Sequence, residues 1–231
     1  MIRSLSARGG SGAMELPKEQ MKEISYLMPA EHASWSYSEK RSVFIGRVFP
    51  LSSDDEAIGI VESVRKDNPD ARHNVYGYRL FGDVLREKFS DDGEPKGTGG
   101  RPCLDVLQKN NVHNALIVVT RYFGGILLGA PGLTRAYSKA AAGALSQAEL
   151  LKMTLCSEYE ISLSYDQYGR LTRLLDGKNV KTEPPVFASD VSVKLKVPVA
   201  DSERLEKDIV DMTSAVCRIV FLGNGFYHIE S

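Results

Sequence analysis

The sequence predicts a two-domain α+β protein, and three observations lead to that fold class. Segments typical of strands and of helices are mixed along all 231 residues, of which 42% are hydrophobic. Glycine-rich loops stop after about Leu151, and charges are evenly spread from there on. The segments beyond that point follow the order β-α-β-β-α-β, which is typical of a ferredoxin-like sandwich. We therefore predict one domain over residues 15–150 and a ferredoxin-like domain over residues 155–231.

The first domain begins with a strand and a capped helix. The run "SVFIGRVF" is rich in β-branched and aromatic residues, and Pro50 ends it. Ser53 and Glu56 have the spacing of a capping box and predict a helix that ends before Asn68-Pro69. The run "HNVYGYRLF" then predicts a second strand.

A polar loop, "DDGEPKGTGGRP", follows that second strand. It has no aliphatic or aromatic residue, so it forms neither a core strand nor an amphipathic helix. Pro102 suits the first turn of a short helix, and the run "NALIVVTRYF" predicts a buried strand. A second glycine loop, Gly124–Gly132, leads into an alanine-rich helix.

The second domain is predicted from six consecutive segments. The run "VSVKLKVPV" alternates apolar and polar residues, as an antiparallel strand with one solvated face does. In chain order, the segments are the strand "SEYEISLSY", the helix "DQYGRLTRLL", the strands "VKTEPPVFAS" and "DVSVKLKVPV", the helix "DSERLEKDIVDM" and the strand "VCRIVFLG".

Composition excludes several classes of protein. No apolar run approaches the roughly 20 residues that span a bilayer, so we expect no membrane partner. The three cysteines are widely spaced and include no CxxC, which argues against a disulfide framework or a zinc site and favours the cytoplasm. Residues 1–13 lack the apolar core of a secretory signal and are left out of the fold prediction.

Charge is uneven in the first domain although the whole chain has a net charge of only −1. Six basic residues and one acid lie between Lys96 and Lys139, a local charge of +5 beside both glycine loops. Backbone N–H groups in such loops and at helix N-termini bind anions. Basic side chains contact the RNA backbone, and bases stack on aromatic side chains. The predicted site that binds phosphate or nucleic acid comprises His73, Lys96, Arg101, Arg121, Tyr122, Arg135 and Lys139.

Each of these features has a competing interpretation. Asp91, Asp92 and Glu94 either hold Mg²⁺ or form a solvated turn. The glycines either expose N–H groups to a ligand or permit close packing, and neither nucleotide-binding glycine fingerprint is present. Cys103 is either an activated thiol at a helix N-terminus or a small buried residue. We predict no catalytic residue, no metal and no cofactor. No nucleophilic side chain has a general base at a sequence spacing that indicates a catalytic pair.

Four stretches together resemble the IMPACT family, whose bacterial members are often called YigZ-like. They are "SDDGEPKGTGGRPCLDVL", "VVTRYFGGILLGAPGLTRAYSKAAAGAL", "SVFIGRVFPLSS" and "DARHNVYGYRL", within about Tyr37–Leu145. The resemblance implies that the first domain is an α/β sandwich similar to the second domain of a ribosomal small-subunit protein and to domain IV of elongation factor G. It also implies a smaller C-terminal domain similar to domain V of that factor.

The resemblance also implies a functional class. Eukaryotic relatives regulate translation initiation, and nucleic-acid or ribosome binding is the usual proposal for bacterial members. We therefore predict a non-enzymatic protein that binds RNA or a ribosomal surface and modulates translation. The alternatives are a metal-dependent hydrolase or transferase acting on a phosphorylated or peptide substrate, and a module that binds only other proteins. The sequence leaves the oligomeric state open.

Overall fold

The computed structural model describes residues 25–82 and 84–229, so the predictions for residues 1–24 lie outside it. The chain divides into two compact units, Tyr26–Leu151 and a unit that contains Lys152–Ser231. Both units mix helices with antiparallel sheet, which confirms the predicted α+β class. No helix in the described residues is long and apolar enough to cross a membrane.

The first unit is built on a five-stranded antiparallel sheet with the order β2-β3-β6-β4-β5. Its strands are β2 (Ala33–Glu39), β3 (Ser42–Pro50), β4 (His73–Leu80), β5 (Arg86–Ser90) and β6 (Ala115–Tyr122). A short strand, β1 (Ser25–Pro29), precedes them and is bridged through Leu27 to Val112. The predicted strands β3, β4 and β6 are confirmed, whereas β1, β2 and β5 were not predicted.

Three helices cover the two faces of this sheet. Helix α1 (Asp54–Asp67) packs on one face, where Val61 and Val64 meet Leu116 and Val118. Helices α2 (Gly100–Lys109) and α3 (Ala130–Ser146) pack on the other face around Phe44. Helix α3 approaches β3 so closely that a Cβ on Gly46 would lie 2.3 Å from the carbonyl oxygen of Ala140. The sheet is therefore buried on both faces, as its nearly continuous apolar strand β6 predicts.

The N-terminus of α1 differs in one hydrogen bond from the predicted capping box. Ser53 caps α1 by accepting a hydrogen bond from the N–H of Glu56, as predicted. The Glu56 carboxylate, however, accepts from the N–H and the hydroxyl of Ser52 instead of from Ser53. Only half of the capping box is therefore formed, and the Glu56 carboxylate is hydrogen bonded to Ser52, the residue before the cap.

The second unit has the ferredoxin-like order of elements. Strands β7 (Leu150–Leu163) and β10 (Val191–Pro198) are central, and β11 (Arg218–His228) pairs with β7. Helices α4 (Tyr165–Leu175) and α5 (Val199–Thr213) cover a core that includes Ile161, Leu195 and Ile209. The strand predicted over "VKTEPPVFAS" is present only as β8 (Lys181–Thr182) and β9 (Val186–Phe187), because Pro184 and Pro185 cannot donate ladder hydrogen bonds.

Candidate nucleic-acid interface

Four loops meet at one end of the first unit's sheet. Val43 at the start of β3 pairs with Tyr122 at the end of β6, and His73 at the start of β4 pairs with Arg121. The end of β5 lies beside the same region of β4. We call this end the sheet-end surface, and it comprises residues 39–41, 68–72, 91–99 and 123–129.

The loop 91–99 is organised around the Asp91 carboxylate. Its two oxygens accept hydrogen bonds from the N–H groups of Gly97, Gly99 and Gly100, at 2.7, 3.0 and 2.9 Å. Helix α2 has no side-chain cap at Gly99, so Asp91 caps it from outside the helix. The N–H groups that we expected to face a phosphate are therefore already bound by a carboxylate of the protein.

Glu94 is the centre of a buried polar cluster. Its Oε1 accepts hydrogen bonds from Nη1 of Arg121 and from the hydroxyl of Tyr137, both at 2.6 Å. Nε2 of His73 lies 3.8 Å from the same oxygen. Burial, followed by the hydrogen bond to Glu94, raises the pKa of Tyr137, so its hydroxyl stays protonated and donates.

Arg121 is consequently an internal counter-ion and not a surface residue. Only 5% of the residue is exposed, and its guanidinium lies 5.5 Å from the ring centroids of Phe44 and of Phe123. Strand alternation explains this position, because odd-numbered residues of β6 face α2 and α3. The expectation that Arg121 binds phosphate is thereby corrected, because its charge is buried against Glu94.

Asp92 and His73 fix the start of the same loop. The Asp92 carboxylate accepts a hydrogen bond from the N–H of Asn74 at 2.6 Å and forms an ion pair with Arg65. Nδ1 of His73 donates to the carbonyl oxygen of Asp92 at 2.8 Å, because a carbonyl can only accept.

The three carboxylates of the loop, those of Asp91, Asp92 and Glu94, thus all accept hydrogen bonds from donors of the protein. Within residues 25–82 and 84–229, no three His, Cys, Asp or Glu side chains are grouped as metal ligands.

The turn between β2 and β3 presents two cations in an unusual backbone conformation. Lys40 and Arg41 have φ angles of 45° and 65°. Two consecutive positive φ values are typical of a type I′ hairpin turn, which strongly favours Asn-Gly. Both side chains are exposed and form no ion pair with any described residue. Backbone strain of this kind is often retained at functional sites.

A concave site of about 260 Å³ lies between this turn and helix α3. Lys40, Arg135 and Lys139 contribute three positive charges to it, and Glu39 contributes one negative charge. Nζ of Lys139 lies 4.5 Å from the ring centroid of Tyr37, whose hydroxyl donates to the carbonyl oxygen of Ala136 at 2.9 Å. The remaining lining residues are Leu128 and Gly132. We call this site the basic cavity.

The structure brings together only part of the predicted site. Arg135 and Lys139 share the basic cavity, and Lys96 is exposed on the 91–99 loop. Arg101 is exposed on α2 and pairs with Asp105 at 2.7 Å.

Tyr122 lies on the opposite face of the sheet from Arg121. Its hydroxyl donates to Oδ1 of Asn68 at 2.9 Å, and Arg47 donates to the same oxygen. Burial lowers the pKa of Arg47, although its guanidinium remains charged. Tyr122 therefore belongs to a polar network beside α1 and is not part of the basic cavity.

Sequence reasoning missed three exposed cations of the sheet-end surface: Lys40, Arg41 and Arg72. They lie before the charge-rich window from Lys96 to Lys139, and folding brings them next to it. The guanidinium of Arg72 lies 5.7 Å from the ring centroid of Phe123. The signal that could have revealed them was the Lys-Arg pair between two short β-rich runs.

The open face of the second unit's sheet is mixed in charge and mostly polar on its central strands. Its central strands direct apolar side chains toward α4 and α5 and polar ones to the other face. A platform for bases needs aromatic side chains on such strands. On the central strands, the residues of the open face are Glu158, Glu160, Ser162, Ser192, Lys194 and Lys196. On the neighbouring strand β11, the ring of Tyr227 is already covered by Lys196, whose Nζ lies 4.5 Å from the ring centroid.

Comparison with known proteins agrees with this architecture. Residues 40–145 match the family model described as the Impact N-terminal domain, and residues 161–215 match a domain of unknown function (DUF1949). The chain is 34% identical over 194 residues to the IMPACT family member YigZ of Escherichia coli, a match that covers 82% of this chain and 94% of that protein. The chain belongs to the IMPACT family.

Two further similarities extend over most of this IMPACT family chain. An IMPACT family member of Thermus thermophilus is 35% identical over 159 residues, which cover 69% of this chain and 86% of the relative. A crystal structure of a hypothetical protein, 32% identical in sequence, superimposes with a TM-score of 0.56 and covers 85% of this chain and 96% of the other. The predicted resemblance to the family is thus confirmed.

Proposed function

We propose that this IMPACT family protein binds RNA, free or on a ribosomal surface, through the sheet-end surface, and that it thereby modulates translation. One observation carries the proposal. Lys40, Arg135 and Lys139 surround a concave site and form no ion pair with any residue that the structure describes. Three unpaired cations against the single carboxylate of Glu39 leave an excess of positive charge that favours an anionic ligand, and phosphate oxygens are suitable acceptors for these cations.

The distribution of cations around the basic cavity favours a polymer over a small molecule. The cavity itself, of about 260 Å³, is lined by only three of the exposed cations of this region. Exposed cations continue beyond it at Arg41, Arg72 and Lys96. A chain of phosphates can contact the cavity and these cations together.

The chemistry of the first unit supports binding over hydrolysis. The carboxylates of Asp91, Asp92 and Glu94 each accept hydrogen bonds from a different donor of the protein. Cys103 is fully buried and bonds to the carbonyl oxygen of Gly99, and burial raises the pKa of its thiol. A buried thiol is not a nucleophile for an external substrate.

The proposal is tested by RNA binding with a matched charge control. Arg135→Glu with Lys139→Glu reverses two charges in the basic cavity. Lys109→Glu with Lys181→Glu makes the same net change at two exposed residues outside the sheet-end surface. We expect the first variant to bind a single-stranded RNA oligomer at least about tenfold more weakly at 0.1 M salt, and the control to bind nearly as wild type does. Equal affinities of the two folded variants would refute the proposal.

A further inference from the structure

The loop 123–129 projects two apolar side chains beside the basic cavity. Leu127 is 81% exposed, more than any other large apolar residue described, and Ile126 is 39% exposed. We call these two residues the apolar tip. Their neighbour Leu128 lines the basic cavity, so the tip and the cations form one continuous surface.

The base of the loop holds the tip in place. The N–H of Gly124 donates to Oγ of Ser42 at 3.2 Å. A Cβ at residue 124 would lie 2.0 Å from the backbone carbon of Arg41, so only glycine allows this contact. The loop therefore packs directly on the Lys40–Arg41 turn. Exposed aliphatic side chains are common on protein surfaces, but this pair is held by an anchored loop directly beside the cations of the basic cavity, where a bound ligand would meet both.

We propose that the RNA bound by this protein presents unpaired bases next to the phosphates that enter the basic cavity, and that the apolar tip packs against the faces of those bases. This inference rests on the proposed function. The ligand must be anionic because exposed cations flank the tip, and it must also offer apolar surface within a few ångströms of its charges. Single-stranded or bulged RNA offers both, whereas a duplex hides its base faces in the stack.

The nearby aromatic residue does not supply this contact. Phe123 is 39% exposed, but its ring already stacks with the guanidinium groups of Arg72 and Arg121. The tip is therefore the apolar surface of the loop that is free to meet a ligand. The concave shape of the neighbouring cavity suits a protruding strand better than the flat surface of a bilayer.

The test compares three RNAs: a single strand, a perfect duplex, and the same duplex with one bulged 2-aminopurine. Wild type should prefer the single strand and the bulged duplex, and it should change the fluorescence of the bulged base. Ile126→Ser with Leu127→Ser should weaken single-strand binding about tenfold, remove the preference and the fluorescence change, and leave the salt dependence intact. Arg135→Glu with Lys139→Glu should instead weaken binding to all three RNAs.

The outcomes separate this inference from the proposed function. If wild type binds RNA with salt dependence but the tip variant keeps the preference for unpaired bases, the inference is refuted and the proposed function stands. If wild type binds none of the three RNAs, both are refuted. Vesicles containing anionic lipid provide the last comparison. Tip-dependent vesicle binding together with tip-independent RNA binding would refute the inference in favour of a membrane contact.

Discussion

Replacing Lys40 with Asn and Arg41 with Gly should stabilise the protein while weakening its binding to RNA. Both residues have positive φ angles, 45° and 65°, which non-glycine residues adopt at a cost of roughly 1–3 kcal/mol each. Asn-Gly is the sequence that this type of turn prefers. We therefore expect the free energy of unfolding to rise by about 1–2 kcal/mol, and the RNA affinity to fall because two exposed cations are removed.

Urea unfolding measures the first effect, and RNA titration measures the second. Trp35 is the only tryptophan in the sequence and lies on β2, so its fluorescence reports on the unit that contains the turn. Replacing both residues with Ser is the control, because it removes the charges without supplying the preferred turn residues. That variant should lose RNA affinity without gaining stability. An Asn-Gly variant no more stable than wild type would refute the strain argument, and unchanged RNA affinity would refute the placement of these cations at the ligand.

Three further predictions concern stability and domain organisation. Burial, with the Arg79 charge as a second cause, lowers the pKa of His113 from 6.5 to about 4. Because the unfolded chain then binds the proton more readily, wild type should lose about 2 kcal/mol of stability in urea melts between pH 7 and pH 5, and His113→Phe should lose much less. Asp91→Ala should lower the free energy of unfolding by roughly 2–3 kcal/mol, and Asp91→Asn by less, because three N–H groups lose their acceptor. A broad-specificity protease should cut first between Ser146 and Leu150, because the rest of the predicted boundary window, up to Ser157, is hydrogen bonded within the sheet as part of β7; first cleavage within Val191–Val199 would contradict the predicted domain boundary.

The sequence predicted the segments with strong periodicity and missed those defined by pairing. Strand β6 and helix α3 were predicted because their composition alone specifies them. Strand β2, "ASWSYSE", is rich in serine and exists because it pairs with β3 along its whole length. Its hairpin turn was not recognised because it contains Lys-Arg in place of the expected Asn-Gly.

The candidate site was predictable as a region but not residue by residue. The positive window from Lys96 to Lys139 included Arg135 and Lys139, which line the basic cavity. It also included Arg121, whose partner Glu94 lies 27 residues earlier and is brought to it by the fold. A buried ion pair between distant residues leaves no local pattern in a sequence. Removing one of its partners would cost about 3–5 kcal/mol, so Arg121 is unsuitable for a charge-reversal test of binding.

The salt dependence of RNA binding tests the central claim most directly. Binding to a single strand weakens with a log–log slope of about −0.7 for each phosphate that the protein neutralises, so three to five contacts give roughly −2 to −3.5. If Arg135 and Lys139 each contact a phosphate, replacing both with Glu should make the slope shallower by about 1.4, while the Lys109 and Lys181 control keeps the wild-type slope. A slope that is the same for wild type and the cavity variant would contradict the claim that phosphates bind in the basic cavity.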